Sequence, residues 1–366
     1  MDSSRIEASL STIDWLRQKG ARVIIMSHLG RPGGSVVESL SIKGVARALS
    51  NLLSTEVPLA PGCTGPEVEA LVGQLKDGDL MLLENLRFEP GETKNDSQFA
   101  RRLARLGDLY VNDAFGVSHR AHASVDAIKE FLPSAAGRLL ERELEVLNKV
   151  TRNPDRPFAL VLGGGKVADK IPVIQGLMKK ADVIMLGGAV GNTFLKALGH
   201  SMGASRIDED MVPVASRLIA QSRELPVEIL LPIDVVVCQF LTADAPRETV
   251  AAERVEPGWH AVDIGERTVE RYSDRIASAG TILWNGPMGV YEVSPFARGT
   301  KMLARSIADS PAAAVVGGGD SAAAIKDQGL AEKIYHVSTG GGAMLSYLAG
   351  EDLPGTRHLK SLEELV

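Results

Sequence analysis

The chain has 366 residues, 45% of them hydrophobic and 23% charged, with a formal net charge of −6; it is longer than the roughly 250–300 residues at which single cores stop growing, so two domains are expected. The acidic balance repels polyanions, and aromatics at 4% are too sparse for a base-stacking platform, which argues against nucleic acid as a partner. Cys63 and Cys238 lack metal-ligand spacing, no basic-then-apolar leader opens the chain and no apolar run reaches spanning length, so a cytoplasmic protein without disulfides, zinc or membrane contact is expected.

The spacing of Ile6, Leu10, Ile13 and Leu16 predicts an opening helix. Arg5 falls in its first turn, where a cation opposes the helix dipole by roughly 0.3–1 kcal/mol. Fraying at a chain end makes that harmless; a functional role is the sharper alternative. Arg22–Met26 reads as a strand running into Ser27-His28-Leu29-Gly30-Arg31-Pro32. Leu80–Leu83 leads into Glu84-Asn85-Leu86-Arg87-Phe88, and Leu109–Val111 into Asn112-Asp113-Ala114-Phe115-Gly116 and on to His119-Arg120-Ala121-His122. Gly137–Lys149 has helical spacing with alternating charge and precedes Asn153-Pro154-Asp155-Arg156-Pro157, which makes 137–156 the expected connecting helix and hinge. Further strands are expected at Phe158–Leu162, Val183–Leu186, Val227–Leu230, Thr281–Trp284, Ala312–Val316 and Ile334–Val337. They end in Gly163-Gly164-Gly165-Lys166, Gly187-Gly188-Ala189, Asn285-Gly286-Pro287, Gly317-Gly318-Gly319-Asp320 and Gly340-Gly341-Gly342.

Short apolar strands alternating with amphipathic helices predict an α/β fold, two doubly wound parallel-sheet, Rossmann-like lobes, with ligands at the strand ends. One half offers arginine and histidine there, the other bare backbone. A single arginine is ordinarily a solvated ion pair; Arg31, Arg87 and Arg120, all after strands and near His28, favour one shared anion. His119 and His122 beside them are read as structural. One triple glycine is as often a turn as an anion site, but several, with Lys166, Lys170 and Asp320, suit a nucleotide carrying a hard cation. The spacing of a Walker A loop is absent, and no strict G-x-G-x-x-G opens a helix.

Together, S-H-L-G-R-P, L-L-E-N-L-R-F, V-N-D-A-F-G with H-R-A-H-A-S, L-G-G-G-K-V-A-D-K, W-N-G-P-M-G-V-Y-E, V-V-G-G-G-D-S and S-T-G-G-G-A resemble phosphoglycerate kinase, in order from about Asp2 to Gly355. The resemblance implies a monomeric, hinge-bending kinase of glycolysis and gluconeogenesis. It implies phosphoryl transfer between 1,3-bisphosphoglycerate and ADP to give 3-phosphoglycerate and ATP with Mg2+, in line, once the domains close. Residues 1–136, with 347–366 packing back on them, would form the triose lobe, and 157–346 the nucleotide lobe. Arg5, His28, Leu29, Gly30, Arg31, Arg87 and Arg120 would hold the triose, with Arg5 also stabilising the transferring group. Lys166 and Lys170 would meet phosphates and Asp320 the metal; Gly318, Gly319 and Ser321 would line the phosphate loop, beside Gly187 and Gly188. Glu292 would bind the ribose, Asn285 would sit near the phosphates, and Gly341 and Gly342 would aim amides at the moving phosphoryl.

The resemblance also implies a strand with a V-D-F-N motif ahead of Ser4-Arg5-Ile6. The sequence as given starts after it, from which weak substrate binding and poor stability are expected. Gly165, Met344 and Ser346 depart from the family pattern without touching a charged role. Two alternatives stay open: an inactive relative serving as a nucleotide-binding or scaffold protein, and a nucleotide-dependent dehydrogenase.

Overall fold

The computed structural model describes residues Ser3–Leu365, and its βαβ units fall into two groups, one running to Leu144 and including the tail from Asp352, the other Glu145–Glu351. The first contains α1 (Ser4–Gln18), β1 (Val23–Ile25), α2 (Lys43–Leu53), α3 (Pro66–Val72), β2 (Leu80–Leu82), α4 (Ser97–Ala104), β3 (Tyr110–Asn112), β4 (Ser134–Ala136) and the start of α5 (Arg138–Arg152). Its strands pair in parallel as β1 with β2 and β3 with β4, and no ladder joins the two pairs among the described residues. Alternation along the strands sends Val23, Leu80 and Leu82 to one face, against Ile13 of α1 and Ile42, Ala46 and Leu49. Met81 and Leu83 go to the other, against Phe99, Ala100 and Leu103 of α4 and Tyr110 of β3. Both faces are thus covered by helices, as parallel strands require.

The strand Ser134–Ala136 was not expected: serine and alanine have little strand preference, and the segment is held by its pairing with Tyr110–Asn112. Its outer edge bridges to the tail, where Ala136 N donates to Lys360 O and Lys360 N to Ser134 O, both at 3.0 Å. The V-N-D stretch is structural. Asn112 Nδ2 donates to Gly355 O at 2.7 Å, and Asp113 Oδ1 accepts from Leu139 N (2.9 Å) and Leu140 N (3.2 Å), capping the first turn of α5.

The second group contains β5 (Phe158–Leu162), α6 (Ile171–Leu177), β6 (Val183–Leu186), α7 (Gly188–Ala197), β7 (Ser201–Met202), α8 (Val212–Ser222), β8 (Glu228–Leu230), β9 (Asp234–Cys238), β10 (Arg247–Ala251), β11 (Arg254–Val255), β12 (His260–Ile264), α9 (Glu266–Ala277), β13 (Thr281–Asn285), α10 (Arg298–Asp309), β14 (Ala313–Gly317), α11 (Gly319–Lys326), β15 (His336–Val337) and α12 (Gly341–Leu348). Six strands form one parallel sheet in the order β15-β14-β13-β5-β6-β8. Ala159, Val161, Met185, Ile282 and Trp284 face a core with Tyr272 and Ile276 of α9 and Leu303 and Ile307 of α10. Leu160, Ile184, Leu283 and Val315, pointing the other way, are equally sealed from solvent. A second sheet, β10-β9-β12, is antiparallel and lies outside the expected series of βαβ units. The β-branched run Val235–Val237 signals a strand, but its partner Arg247–Ala251 is polar and largely exposed, so no buried parallel pattern marks it.

Candidate functional site

In the first group, the loops after β1 and β2 are locked together by Asn85. Its Oδ1 accepts from Leu29 N (3.3 Å) and Arg87 N (3.1 Å), and its Nδ2 donates to Leu29 O (2.8 Å) and Leu40 O (2.9 Å). Arg87, only 8% exposed, donates from Nη1 to Gly30 O at 2.7 Å, while its buried Nε has no partner. Arg120 Nε donates to His119 Nε2 at 3.2 Å. Burial first, then Arg87, His122, Arg120 and Arg5, push the His28 pKa down to about 4. Burial, then Arg87, Arg120 and His119, do the same to His122, also to about 4. Burial, then Arg120 and, more weakly, Arg31, depress Arg87 against the pull of Glu92. The expected residues Arg5, His28, Arg31, Arg87 and Arg120 therefore share one electrostatic field, with Arg5 exposed in the first turn of α1 and Arg31 exposed after Gly30. At neutral pH both imidazoles are uncharged and the positive charge is all guanidinium. Cations this close repel one another, and an anion among them would relieve that repulsion.

In the second group, register does the work. Because Asn285 aligns with Leu162 and with Gly317, and Leu162 with Leu186, the glycine loops after β5, β6, β13 and β14 emerge at one edge of the sheet. They touch there: Gly164 N donates to Pro287 O at 2.7 Å, Gly188 N to Met288 O at 2.8 Å, and a side chain on Gly341 would stand 3.0 Å from Gly318 Cα. Gly286 and Gly318 have φ of 92° and 96°, and a Cβ at Gly286 would collide with the backbone of Gly163, so both positions need glycine. Helices α7, α11 and α12 start at this edge without side-chain caps; Gly188 N of α7 is already given to Met288 O, while the first-turn amides of Gly319, Gly341 and Gly342 are left for an anion.

Buried Lys170 donates from Nζ to Asn285 Oδ1, and Asn285 Nδ2, buried beside Gly317 and Gly318, has no partner. Burial is the main cause that lowers the Lys170 pKa to about 8; Asp169 opposes it, Lys166 adds to it and Asp320 opposes it. Lys166 itself is exposed. Burial, then Glu292, raise the Asp320 pKa while Lys170 lowers it, so Asp320 is coupled to both side chains. Ser321 Oγ accepts from Gly286 N at 2.7 Å, which fixes the loop after β13 and leaves its own O–H to donate.

Among the described residues no group of three or more His, Cys, Asp or Glu could hold a metal. Mg2+, however, keeps waters and substrate phosphates and asks for only one or two carboxylates, of which Asp320 supplies one. The donor set thus fits a cation carried by phosphates, not one caged by protein. Sequence reasoning missed Arg206, whose exposed guanidinium carbon is 2.9 Å from where a Cβ on Gly165 would lie; nothing in its own loop signals that proximity. It also missed the part played by Asn85, which stands within the E-N-L-R motif but shows its role only once both loops are placed.

The family model described as phosphoglycerate kinase matches residues 1–351. The phosphoglycerate kinase of Moorella thermoacetica is 52% identical over 354 residues, 97% of this chain and 90% of that protein. That of Roseiflexus castenholzii is 48% identical over 360 residues, 98% and 91% of the two chains. Among solved structures, phosphoglycerate kinase from Coxiella burnetii superposes with a TM-score of 0.85 at 38% identity, and that from Pyrococcus horikoshii with 0.86 at 34%, each over 98% of this chain and 91% of the other.

Proposed function

The chain belongs to the phosphoglycerate kinase family and is a phosphotransferase of glycolysis with a carboxyl group as acceptor; from that premise we propose which of its residues hold each substrate. The family assignment disfavours both the scaffold and the dehydrogenase readings. Arg5, His28, Arg31, Arg87 and Arg120, with the backbone of Leu29 and Gly30, bind 3-phosphoglycerate or 1,3-bisphosphoglycerate. Lys166, Lys170, Asn285 and the amides of Gly318, Gly319, Gly341 and Gly342 receive the ADP or ATP phosphates; Gly187 and Gly188, whose amides are given to Leu162 O and Met288 O, line the nucleotide without donating to it, and Glu292 takes the ribose. Ser321 lines the same phosphate loop and also fixes the loop after β13 by accepting from Gly286 N. Asp320 would hold Mg2+ together with the phosphates, and the ion would neutralise phosphate charge when bound. The acceptor carboxylate is ionised at neutral pH and needs no general base, which suits a site whose imidazoles are neutral and whose catalysis rests on charge and position.

One observation carries the reading: Arg87 Nε and Asn285 Nδ2 are buried donors without partners, each inside the set of groups assigned to an anion. In-line transfer follows when both substrates are held and water is excluded, and we place the enzyme in the cytoplasm as a monomer. No helix among the described residues is long and apolar enough to cross a membrane. A coupled assay of ATP formation tests the assignment. Arg87→Ala is expected to raise the KM for the triose substrate, and Lys170→Ala that for the nucleotide, each by about 10- to 100-fold, as for a charged hydrogen bond. If each variant shifts the KM of the opposite substrate instead, the assignment is overturned.

A further inference from the structure

Behind the arginine cluster lies a carboxylate that the assignment above does not use. Glu92 is 3% exposed and opens a short helical turn, Glu92–Lys94, just after the loop that carries Arg87. Its Oε2 accepts from Ser124 N at 3.0 Å, its Oε1 from Ser124 Oγ at 2.7 Å, and its backbone oxygen from Ala123 N at 2.9 Å. Oε1 also stands 3.7 Å from His122 Nδ1, a contact too long for a hydrogen bond and, with the imidazole neutral, not an ion pair. Three residues on, Asn95 repeats the pattern: its Oδ1 accepts from Ala127 N at 3.1 Å and its Nδ2 donates to Asp126 Oδ2 at 3.0 Å. The turn 92–95 therefore clamps the segment 123–127 at two points, and that segment begins three residues after Arg120 and next to His122.

We infer that Glu92 is a positioning residue for the triose substrate: it fixes the loop bearing Arg120 and His122 against the loop bearing Arg87, so that guanidinium groups from two strand ends are preset for one anion. The inference rests on the assignment of Arg87 and Arg120 to that substrate. A buried carboxylate is costly to desolvate and is retained here by two hydrogen-bond acceptances, both from Ser124, while the Glu92 backbone oxygen accepts a third from Ala123 of the same loop. Preset donors bind without the ordering cost that mobile ones carry.

Steady-state kinetics of the full chain with 3-phosphoglycerate and ATP test this. Glu92→Gln keeps the shape and, with Oε1 accepting from Ser124 N and Nε2 donating to Ser124 Oγ, both contacts; it is expected to leave both KM values within about threefold. Glu92→Ala removes both side-chain contacts and is expected to raise the KM for 3-phosphoglycerate about tenfold, about 1.4 kcal/mol of binding, with the KM for ATP unchanged. Loss of folded protein alone would lower kcat and move neither KM. If Glu92→Ala does not fold, Ser124→Ala, which deletes one hydroxyl, is expected to give the same one-sided change at about threefold. Unchanged 3-phosphoglycerate KM in the folded alanine variants, or equal shifts in both substrates, overturns the inference. Arg120→Ala separates the two levels: if it leaves the 3-phosphoglycerate KM alone, the substrate assignment itself has failed; if it raises that KM while Glu92→Ala does not, only the positioning role has.

Discussion

Lys170 shows how burial and charge set a residue's working range. The residue is 7% exposed, its ammonium meets the Asn285 side chain, and burial is the main cause that brings its pKa from 10.5 to about 8. The sign follows from which form the ligand favours. Nucleotide phosphates stabilise the charged ammonium, so binding above pH 8 requires proton uptake, and affinity falls as pH rises from about 8 towards 10. For folding alone the same shift acts oppositely, since a buried amine is held more comfortably neutral and the folded state gains as pH climbs through the window between the two values. ADP binding measured by calorimetry from pH 7 to 9.5 is therefore expected to weaken progressively, and Lys170→Met to bind weakly with that part of the slope gone. A slope that persists in the methionine variant would assign it to another group. His28 and His122 follow the same logic at lower pH: held near 4, they contribute hydrogen-bonding capacity and no charge at neutrality.

At the level of elements, strand length and company decide rigidity. Strands β5 and β13 are five residues long, wholly buried and flanked on both sides within the six-stranded sheet. By contrast β1 and β3 are three residues long; β2 has a second neighbour in Leu59 and β4 in Lys360, while β1 and β3 have none among the described residues. Backbone amides of Val23–Ile25 and Tyr110–Asn112 are thus expected to exchange at least about tenfold faster than those of Phe158–Leu162, a difference of about 1.4 kcal/mol in opening free energy. Equal protection would contradict this. The same contrast explains what could be read from the chain itself. Phe158–Leu162 and Val183–Leu186 are legible to the residue because strands buried on both faces are unbroken aliphatic runs. Ser134–Ala136 and Arg247–Ala251 are not, because their side chains carry no such pattern and only their partners make them strands. The convergence of Arg31, Arg87 and Arg120 on one neighbourhood was legible because each follows a strand, where a parallel sheet delivers its loops. Glu92 and the nearness of Arg206 to Gly165 were not: the first acts through another loop, and the second follows β7, a two-residue strand too short to be read from the chain.

For the molecule as a whole, the separate cores imply separate stabilities. One core is built on Phe99, Leu83 and Tyr110, another on Trp284, Tyr272 and Leu303, and each belongs to its own group of elements. Domains with their own cores commonly unfold in more than one step. The group with two-stranded ladders of three residues is expected to unfold at lower urea than the group with the six-stranded sheet. Ligands identify the steps, since a ligand stabilises only what holds its site, by about 2.7 kcal/mol at a hundredfold excess over Kd. With urea slopes of about 1–3 kcal/mol per molar, that moves a midpoint by roughly 1 M or more. Hence 3-phosphoglycerate is expected to shift the first transition alone and Mg-ADP the second alone. Trp15→Phe isolates the second step by fluorescence, because Trp259 and Trp284 then report only on the nucleotide-binding group, while circular dichroism follows both. If 3-phosphoglycerate displaces the fluorescence transition of that variant as much as Mg-ADP does, the two substrates do not belong to different groups, and the assignment of the arginine cluster to one and the glycine edge to the other fails with it.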